Sequence, residues 1–88
     1  MNDRLTERII NKFQLKDGSL KVFNYLYDKD ISQSQRMIIE GANLSTRTVR
    51  YTLRRLLERG LIEKIPNLMD MREIYYQIDR ETLQFAIV

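Results

Sequence analysis

The side chains with the clearest chemistry in this sequence are six basic residues that lie close together. Between Ser45 and Lys64 the chain has a net charge of +4, although the whole 88-residue chain has a net charge of only +3. One short segment therefore carries the entire positive excess, and most of its basic residues are arginines. Such a concentration is the electrostatic pattern of a protein that binds a polyanion. The basic residues are Arg47, Arg50, Arg54, Arg55, Arg59 and Lys64.

Helical spacing divides this basic segment into two faces. If residues 46–59 form a helix, four apolar residues recur at i, i+4, i+7 and i+8 on one side. These are Val49, Leu53, Leu56 and Leu57. The opposite side carries Arg47, Arg50, Tyr51 and Arg54. An arginine face can be merely solvated, but the acidic residues that usually alternate with arginine are missing here apart from Glu58. The spacing therefore favours an anion-binding face over a solvated one.

The composition excludes several other kinds of site. The chain has no cysteine and no histidine, so it cannot form a disulfide scaffold or a thiolate zinc site, and it lacks the commonest catalytic base and metal ligand. No pair of carboxylates lies in an apolar context suited to acid–base catalysis, and the three glycines are isolated. The longest apolar run, residues 85–88, is too short to cross a bilayer. We expect a cytoplasmic protein that is not an enzyme and that has no metal, cofactor or membrane partner.

Apolar spacing and turn residues predict a mainly α fold with a small β-hairpin. Gly18 marks the first helix break, Asn43 suits a tight turn, and Gly60 suits a helix end. Ser45 is the expected N-cap of the basic helix, and Ser32 or Ser34 that of the helix before it. Ile31, a lone apolar residue, suggests a very short strand. The predicted helices cover residues 1–16, 20–27, about 35–42, 46–59 and 80–88, and the predicted hairpin strands cover 61–65 and 73–78.

Two helices joined by a short turn and followed by a hairpin have the layout of a winged helix-turn-helix. We expect one domain over residues 1–88, with a core at 17–79 between an N-terminal helix (1–16) and a C-terminal helix (80–88). In this layout the N-terminal part of the second helix of the turn enters the major groove of DNA. The expected base contacts come from Thr46, Arg47, Arg50 and Tyr51. The expected phosphate contacts come from Arg54, Arg55 and the backbone amides of Ser45 and Thr46.

Three segments within residues 18–79 carry a family resemblance. The run from Asn43 to Val49, the run from Leu53 to Ile62, and the triplet Asp70-Met71-Arg72 resemble the turn, the recognition-helix exit and the wing of the MarR-type winged helix-turn-helix transcription regulators. The resemblance implies that residues 46–59 are the recognition helix. It also implies that residues 66–72 form a wing in which Asp70 orients Arg72, and that Arg72 contacts DNA at the minor groove.

The expected wing also carries apolar residues that a DNA-binding wing does not need. Leu68, Met69 and Met71 can be explained in two ways. They either pack against the hairpin or contact a second subunit or a partner protein.

The two chain ends raise the question of a dimer. Both carry apolar residues that are costly to leave in water. The ends either cover each other and the core, or meet the same ends of a second copy; we favour a two-fold homodimer that binds half-sites about 10 bp apart. The expected dimer contacts come from Leu5, Ile9, Phe13, Leu83, Phe85 and Ile87.

The sequence as a whole predicts a sequence-specific regulator of transcription that binds double-stranded DNA as a dimeric repressor. The alternative is a winged-helix module for protein–protein interaction within a larger assembly, with the methionine-bearing wing and the apolar ends as its contact surface.

Overall fold

The computed structural model describes residues 4–29, 31–70, 72–81 and 83, with side chains from Thr6 onwards. Within these ranges, helices and a three-stranded antiparallel sheet form the mainly α architecture that the sequence predicts. The helices are α1 (Arg4–Phe13), α2 (Asp17–Tyr27), α3 (Gln35–Ala42) and α4 (Thr46–Glu58). The strands are β1 (Gln33–Ser34), β2 (Ile62–Pro66) and β3 (Ile74–Ile78). None of the described helices is long and apolar enough to cross a membrane.

The turn between α3 and α4 is fixed at both sides by local hydrogen bonds. Asn43 adopts the left-handed conformation with a φ of 55°, and its amide donates to the carbonyl oxygen of Ile39. Across the turn, Ser45 caps α4 by accepting a hydrogen bond from the Thr48 amide at 3.1 Å. Ser34 caps α3 in the same way, accepting from the Met37 amide at 3.2 Å. These caps satisfy helix donors that would otherwise lack partners.

The end of α4 has the geometry that its sequence predicts. Gly60 has a φ of 74°, a backbone conformation that costs glycine little. Its amide donates to the Leu57 carbonyl at 3.0 Å, and the Leu61 amide donates to the Leu56 carbonyl at 3.1 Å. This pair of hydrogen bonds is a Schellman motif. It reverses the chain directly into β2.

The sheet has the order β1-β3-β2, and β1 is a strand that the sequence pattern did not reveal. It pairs Gln33 with Tyr76 and Ser34 with Tyr75. The predicted strand at Ile31 is wrong, because Ile31 lies outside β1 and is 71% exposed. Along β3, Tyr76 and Ile78 face the core.

The boundary between α1 and α2 differs from the prediction. The sequence places the break at Asp17-Gly18-Ser19, but α1 ends at Phe13 and α2 already begins at Asp17. The chain reverses through Gln14 and Asp17, both at a φ of 54°, instead of through Gly18. Leu15, which lies between them, is buried and anchors this corner to the core.

Residues from both ends of the described chain belong to the hydrophobic core. Ile9 on α1 and Leu83 after β3 are fully buried together with residues of every helix in between. The expectation that Ile9 and Leu83 form dimer contacts is therefore wrong, because neither has surface left for a second copy. Phe13 is partly buried and packs against the same core. The side chain of Leu5, together with Phe85 and Ile87, lies outside the described residues.

A short helical segment follows β3. Residues 80, 81 and 83 are helical, and the Leu83 amide donates to the Asp79 carbonyl at 3.0 Å. Arg80 holds this segment to α2, because its guanidinium donates to the Tyr27 carbonyl at 2.8 Å and lies over the Tyr27 ring. The remainder of the predicted helix 80–88 lies outside the described residues.

Candidate nucleic-acid interface

The outer face of α4 is an open arginine surface. Ser45 and Thr46 at its start are exposed, and so are the four guanidinium groups and the phenol that follow them. Within the described ranges, no carboxylate forms an ion pair with any of these four arginines. Their charge is therefore fully available to an external anion. The side chains on this arginine surface are Arg47, Arg50, Tyr51, Arg54 and Arg55.

The inner face of α4 explains why the arginines face outward. Val49, Leu53 and Leu56 are buried in the core, and Leu57 packs against its edge. Burying three large aliphatic side chains contributes about 1.5–3 kcal/mol each, which fixes the rotation of the helix about its axis. The apolar side that the sequence predicts is therefore the side that α4 turns to the core.

Helix α2 supports α4 from behind. A β-carbon placed on Gly18 would lie 2.9 Å from Cγ2 of Thr48 and 3.3 Å from Oγ1 of Thr52. The backbone of α2 at Gly18 therefore packs closely against the side chains of Thr48 and Thr52 on α4.

Tyr51 and Arg55 form a pair on the arginine surface. The guanidinium carbon of Arg55 lies 5.9 Å from the ring centroid of Tyr51, within the range of a cation–π contact. Tyr51 is nevertheless 60% exposed. The ring thus keeps a free face for an apolar or base contact while it restrains the neighbouring arginine.

A groove runs from α4 to the sheet. Its polar lining comes from Arg50, Arg54 and Glu58 of α4, together with Gln35 at the start of α3, Lys64 of β2 and Tyr76 of β3. Burial raises the pKa of the Tyr76 phenol above its usual value near 10.0, so Tyr76 remains a neutral hydroxyl at physiological pH. Lys64 belongs to the basic segment of the sequence, but its spacing does not indicate that it lies beside Arg50 and Arg54. Gln35 has no signal in the sequence, because it lies outside that segment.

The wing between β2 and β3 is a hydrogen-bonded loop. The Asn67 amide donates to the Glu73 carbonyl, and the Asp70 amide donates to the Asn67 carbonyl, each at 3.1 Å. Asp70 Oδ1 accepts hydrogen bonds from Arg72 through Nε at 3.2 Å and through the backbone amide at 3.1 Å. This is the pairing that the family resemblance implies. The guanidinium side chain of Arg72 is still 93% exposed.

The tip of the wing displays apolar side chains to solvent. Leu68 is 84% exposed and Met69 is 94% exposed. The first explanation from the sequence, packing against the hairpin, is therefore wrong for these two residues. Met71 lies outside the described residues.

The arginine surface and the wing belong to one continuous face. A second groove, lined by Arg36, Asp70 and Arg72, shares Gln35 and Tyr76 with the groove beside α4. A long ligand can therefore contact α4 and the wing at the same time. A double-stranded nucleic acid has that length and the required negative charge.

The described residues contain no group of three or more histidine, cysteine, aspartate or glutamate side chains arranged to hold a metal ion.

Comparisons with known proteins identify the fold. No protein-family model matches the chain, and no curated protein matches it. Solved structures do match. The transcriptional regulator PA4135 has a TM-score of 0.74 at 16% identity, over 94% of this chain and 60% of its own. The DNA complex of MepR from S. aureus has a TM-score of 0.73 at 18% identity, over 92% of this chain and 66% of its own.

A third match is PcaV from Streptomyces coelicolor in complex with its natural ligand. Its TM-score is 0.70 at 24% identity, over 86% of this chain and 55% of its own. The present chain thus spans less than two thirds of the length of each of these three regulators. The element order, the sheet and these likenesses agree: the chain has the winged helix-turn-helix fold, of the type found in MarR-like transcription regulators.

Proposed function

We propose that this protein is a sequence-specific regulator of transcription that binds double-stranded DNA and acts without catalysis. One observation carries the proposal: the helix that follows the turn presents four exposed arginines that no carboxylate of the described chain neutralises. Arginine can donate two parallel hydrogen bonds to the O6 and N7 atoms of guanine or to a phosphate. The DNA complex of MepR, which has the same fold, supports this use of the fold.

In the proposed complex α4 lies in the major groove and the wing reaches the adjacent minor groove. Thr46, Arg47 and Arg50 are at the N-terminal end of α4, the end that meets base edges in helix-turn-helix proteins. Arg54 and Arg55 follow one turn later and contact phosphates. Arg72 contacts the minor groove or its backbone, and Asp70 keeps its guanidinium extended.

We also propose that the protein binds DNA as a two-fold homodimer and represses by covering a promoter. Dimers of this symmetry are the commonest oligomers and match palindromic sites. Because Ile9 and Leu83 are buried within the chain, the interface has to use other residues. Phe13, which keeps part of its surface, remains a candidate, as do Leu5, Phe85 and Ile87.

Selection of bound duplexes from a random pool tests the proposal most broadly. The expected result is a preferred sequence with two inverted half-sites about 10 bp apart, the spacing of one helical turn. Recovery of a single, non-repeated half-site would support sequence-specific DNA binding but would contradict the proposed homodimer. Recovery of random sequences would exclude sequence-specific regulation.

A second function is favoured by the wing tip. Leu68 and Met69 are exposed on a loop with internal hydrogen bonds, and large exposed apolar side chains are typical of protein contact sites. The chain could therefore serve as a protein-interaction module within a larger assembly. A mobility-shift experiment with random duplex at low salt separates the two functions. A shift at micromolar protein supports the regulator, and the absence of a shift supports the interaction module.

A further inference from the structure

Two residues are shared by the groove beside α4 and the second groove, which we call the wing groove. These residues are Gln35 and Tyr76. Residues of α4 line the first groove but not the wing groove, and residues of the wing line the wing groove but not the first. Gln35 and Tyr76 therefore form a junction between the surface that α4 provides and the surface that the wing provides.

The proposed binding mode brings a strand of the duplex to this junction. The major and minor grooves of B-DNA lie side by side and are separated by one sugar-phosphate backbone. If α4 lies in the major groove and the wing reaches the adjacent minor groove, this backbone has to cross the protein between them. The junction is the part of the surface that lies between them. The inference rests on the proposed function for this placement.

The sheet holds Tyr76 at the junction from both sides. Tyr76 is the middle residue of β3, the central strand, and it pairs with Gln33 of β1 and with Lys64 of β2. Side chains of directly paired residues lie on the same side of a sheet, so Lys64 and Tyr76 are neighbours there. Burial raises the pKa of the Tyr76 phenol. The phenol therefore keeps its proton at physiological pH and can donate it in a hydrogen bond.

Basic side chains lie on both sides of the junction. Lys64 lines the groove beside α4, and Arg36, which follows Gln35 in the first turn of α3, lines the wing groove. Both side chains are exposed. Within the described ranges, neither of them forms an ion pair. The charge of both residues is thus available to phosphates on either side of the junction.

The acidic residues of the two grooves leave these two cations free. The groove beside α4 has one glutamate against three basic residues, so its lining has a net positive charge. In the wing groove, Asp70 and Glu73 balance Arg36 and Arg72. Asp70 is already paired with Arg72. Arg36 is therefore the basic residue of the wing groove whose charge no ion pair within the described ranges neutralises.

Apolar residues in the wing groove favour a nucleic-acid backbone over a free anion. Met37 is 43% exposed and Ile74 is 37% exposed, and both line this groove together with Arg36. A small anion gains nothing from apolar neighbours. A DNA backbone alternates charged phosphates with deoxyriboses, whose carbon atoms can cover such side chains. The lining thus matches both components of the backbone.

We propose that one sugar-phosphate backbone of the duplex crosses the protein at the junction. Gln35 and Tyr76 donate hydrogen bonds to the phosphate that lies there. Lys64 contacts the backbone on the major-groove side of this phosphate, and Arg36 contacts it on the minor-groove side. Because the phosphates carry no sequence information, these contacts set the position of the duplex and leave the base preference to α4.

The test compares Lys64→Gln, Arg36→Gln and Tyr76→Phe with the parent chain. Arg8→Gln, which removes an exposed charge from α1, is the control for the two charge variants. Tyr75→Phe is the control for the lost hydroxyl, because Tyr75 is the preceding residue of β3 and lines neither groove. Affinity for duplex DNA is measured over a series of salt concentrations, and thermal unfolding shows that each variant is folded. Duplexes that each contain one neutral methylphosphonate linkage are measured in parallel.

The two charge variants should each lose affinity several-fold for every duplex sequence, and the slope of log affinity against log salt should fall by about one. Tyr76→Phe should also lose affinity several-fold, but its slope should equal that of the parent because no charge is removed. Both controls should bind as the parent does. One methylphosphonate position should weaken the parent but not Lys64→Gln.

The possible failures separate the crossing from the proposed function. If the parent binds duplex and the three variants match it in affinity and slope, the crossing is wrong and the proposed function stands. A changed base preference in Lys64→Gln or Arg36→Gln would also contradict the crossing, because it would indicate a base contact. If the parent binds no duplex, the proposed function fails, and the crossing fails with it.

Discussion

Asp70 Oδ1 accepts hydrogen bonds from two groups of Arg72, the side-chain Nε at 3.2 Å and the backbone amide at 3.1 Å. The carboxylate thus fixes both the backbone and the first part of the side chain, while the guanidinium remains 93% exposed. An exposed ion pair of this kind contributes little to stability, on the order of 0–1 kcal/mol. Its effect is instead to hold Arg72 extended from the wing.

Arg72→Ala is expected to weaken binding to most duplexes alike and to reduce the salt slope of the affinity by about one, because one phosphate contact is lost. Asp70→Asn should cause a smaller loss without changing base preference. Fluorescence anisotropy over a salt series measures both effects. Parental affinity and slope for Arg72→Ala would show that the wing does not contact DNA.

Ile9→Ala is expected to reduce the free energy of unfolding by about 2–5 kcal/mol, because Ile9 is fully buried in the core of the single chain. Urea unfolding at two protein concentrations, together with sedimentation, measures the change. The oligomeric state of the remaining folded protein should equal that of the parent. A variant that keeps its stability but dissociates would place Ile9 at a subunit interface.

Gly41→Ala is expected to destabilise the protein by about 1–2 kcal/mol, although alanine favours helices. The new β-carbon would lie 2.1 Å from Cε1 of Tyr25. The Tyr25 hydroxyl donates to Gln33 Oε1 at 2.8 Å and also contacts the Met37 carbonyl, so moving the ring disturbs both contacts. Thermal unfolding measures the change, with the exposed neighbour Glu40→Ala as control. Equal stability of both variants would mean that Tyr25 moves aside freely.

Ser45→Ala and Ser34→Ala are each expected to cost about 1 kcal/mol of stability, because each hydroxyl caps a helix. Only Ser45→Ala should also weaken DNA binding of the folded protein, since Ser45 is exposed at the start of α4 and Ser34 is buried. Chemical unfolding and a binding titration under native conditions separate the two effects. Equal affinity losses for both variants would assign the effect to stability alone.

The sequence predicts best those features that local chemistry determines. Asn43, Ser45 and Gly60 each have a residue type suited to a particular backbone conformation, and the turn and α4 occur where these residues predict them. The two faces of α4 follow from helical spacing in the same way. The positive charge of the arginine surface is also visible in the sequence, because Glu58 is the single acidic residue within residues 46–59.

The features that the sequence did not reveal depend on tertiary packing. Strand β1 consists of Gln33 and Ser34, two polar residues that become a strand only because β3 offers them its edge. The corner at Gln14 is held by the burial of Leu15, which no local pattern indicates.

The central claim is that the outer face of α4 contacts base edges in the major groove. The most direct test measures the affinity of Arg47→Ala and Arg50→Ala for a selected duplex and for single-base variants of that duplex. Each substitution is expected to cost about 1–3 kcal/mol on the selected duplex and to relax the preference at one base position. Arg8→Ala, which removes an exposed arginine from α1, should leave both affinity and preference unchanged. Parental affinity and parental base preference in both α4 variants would contradict the account.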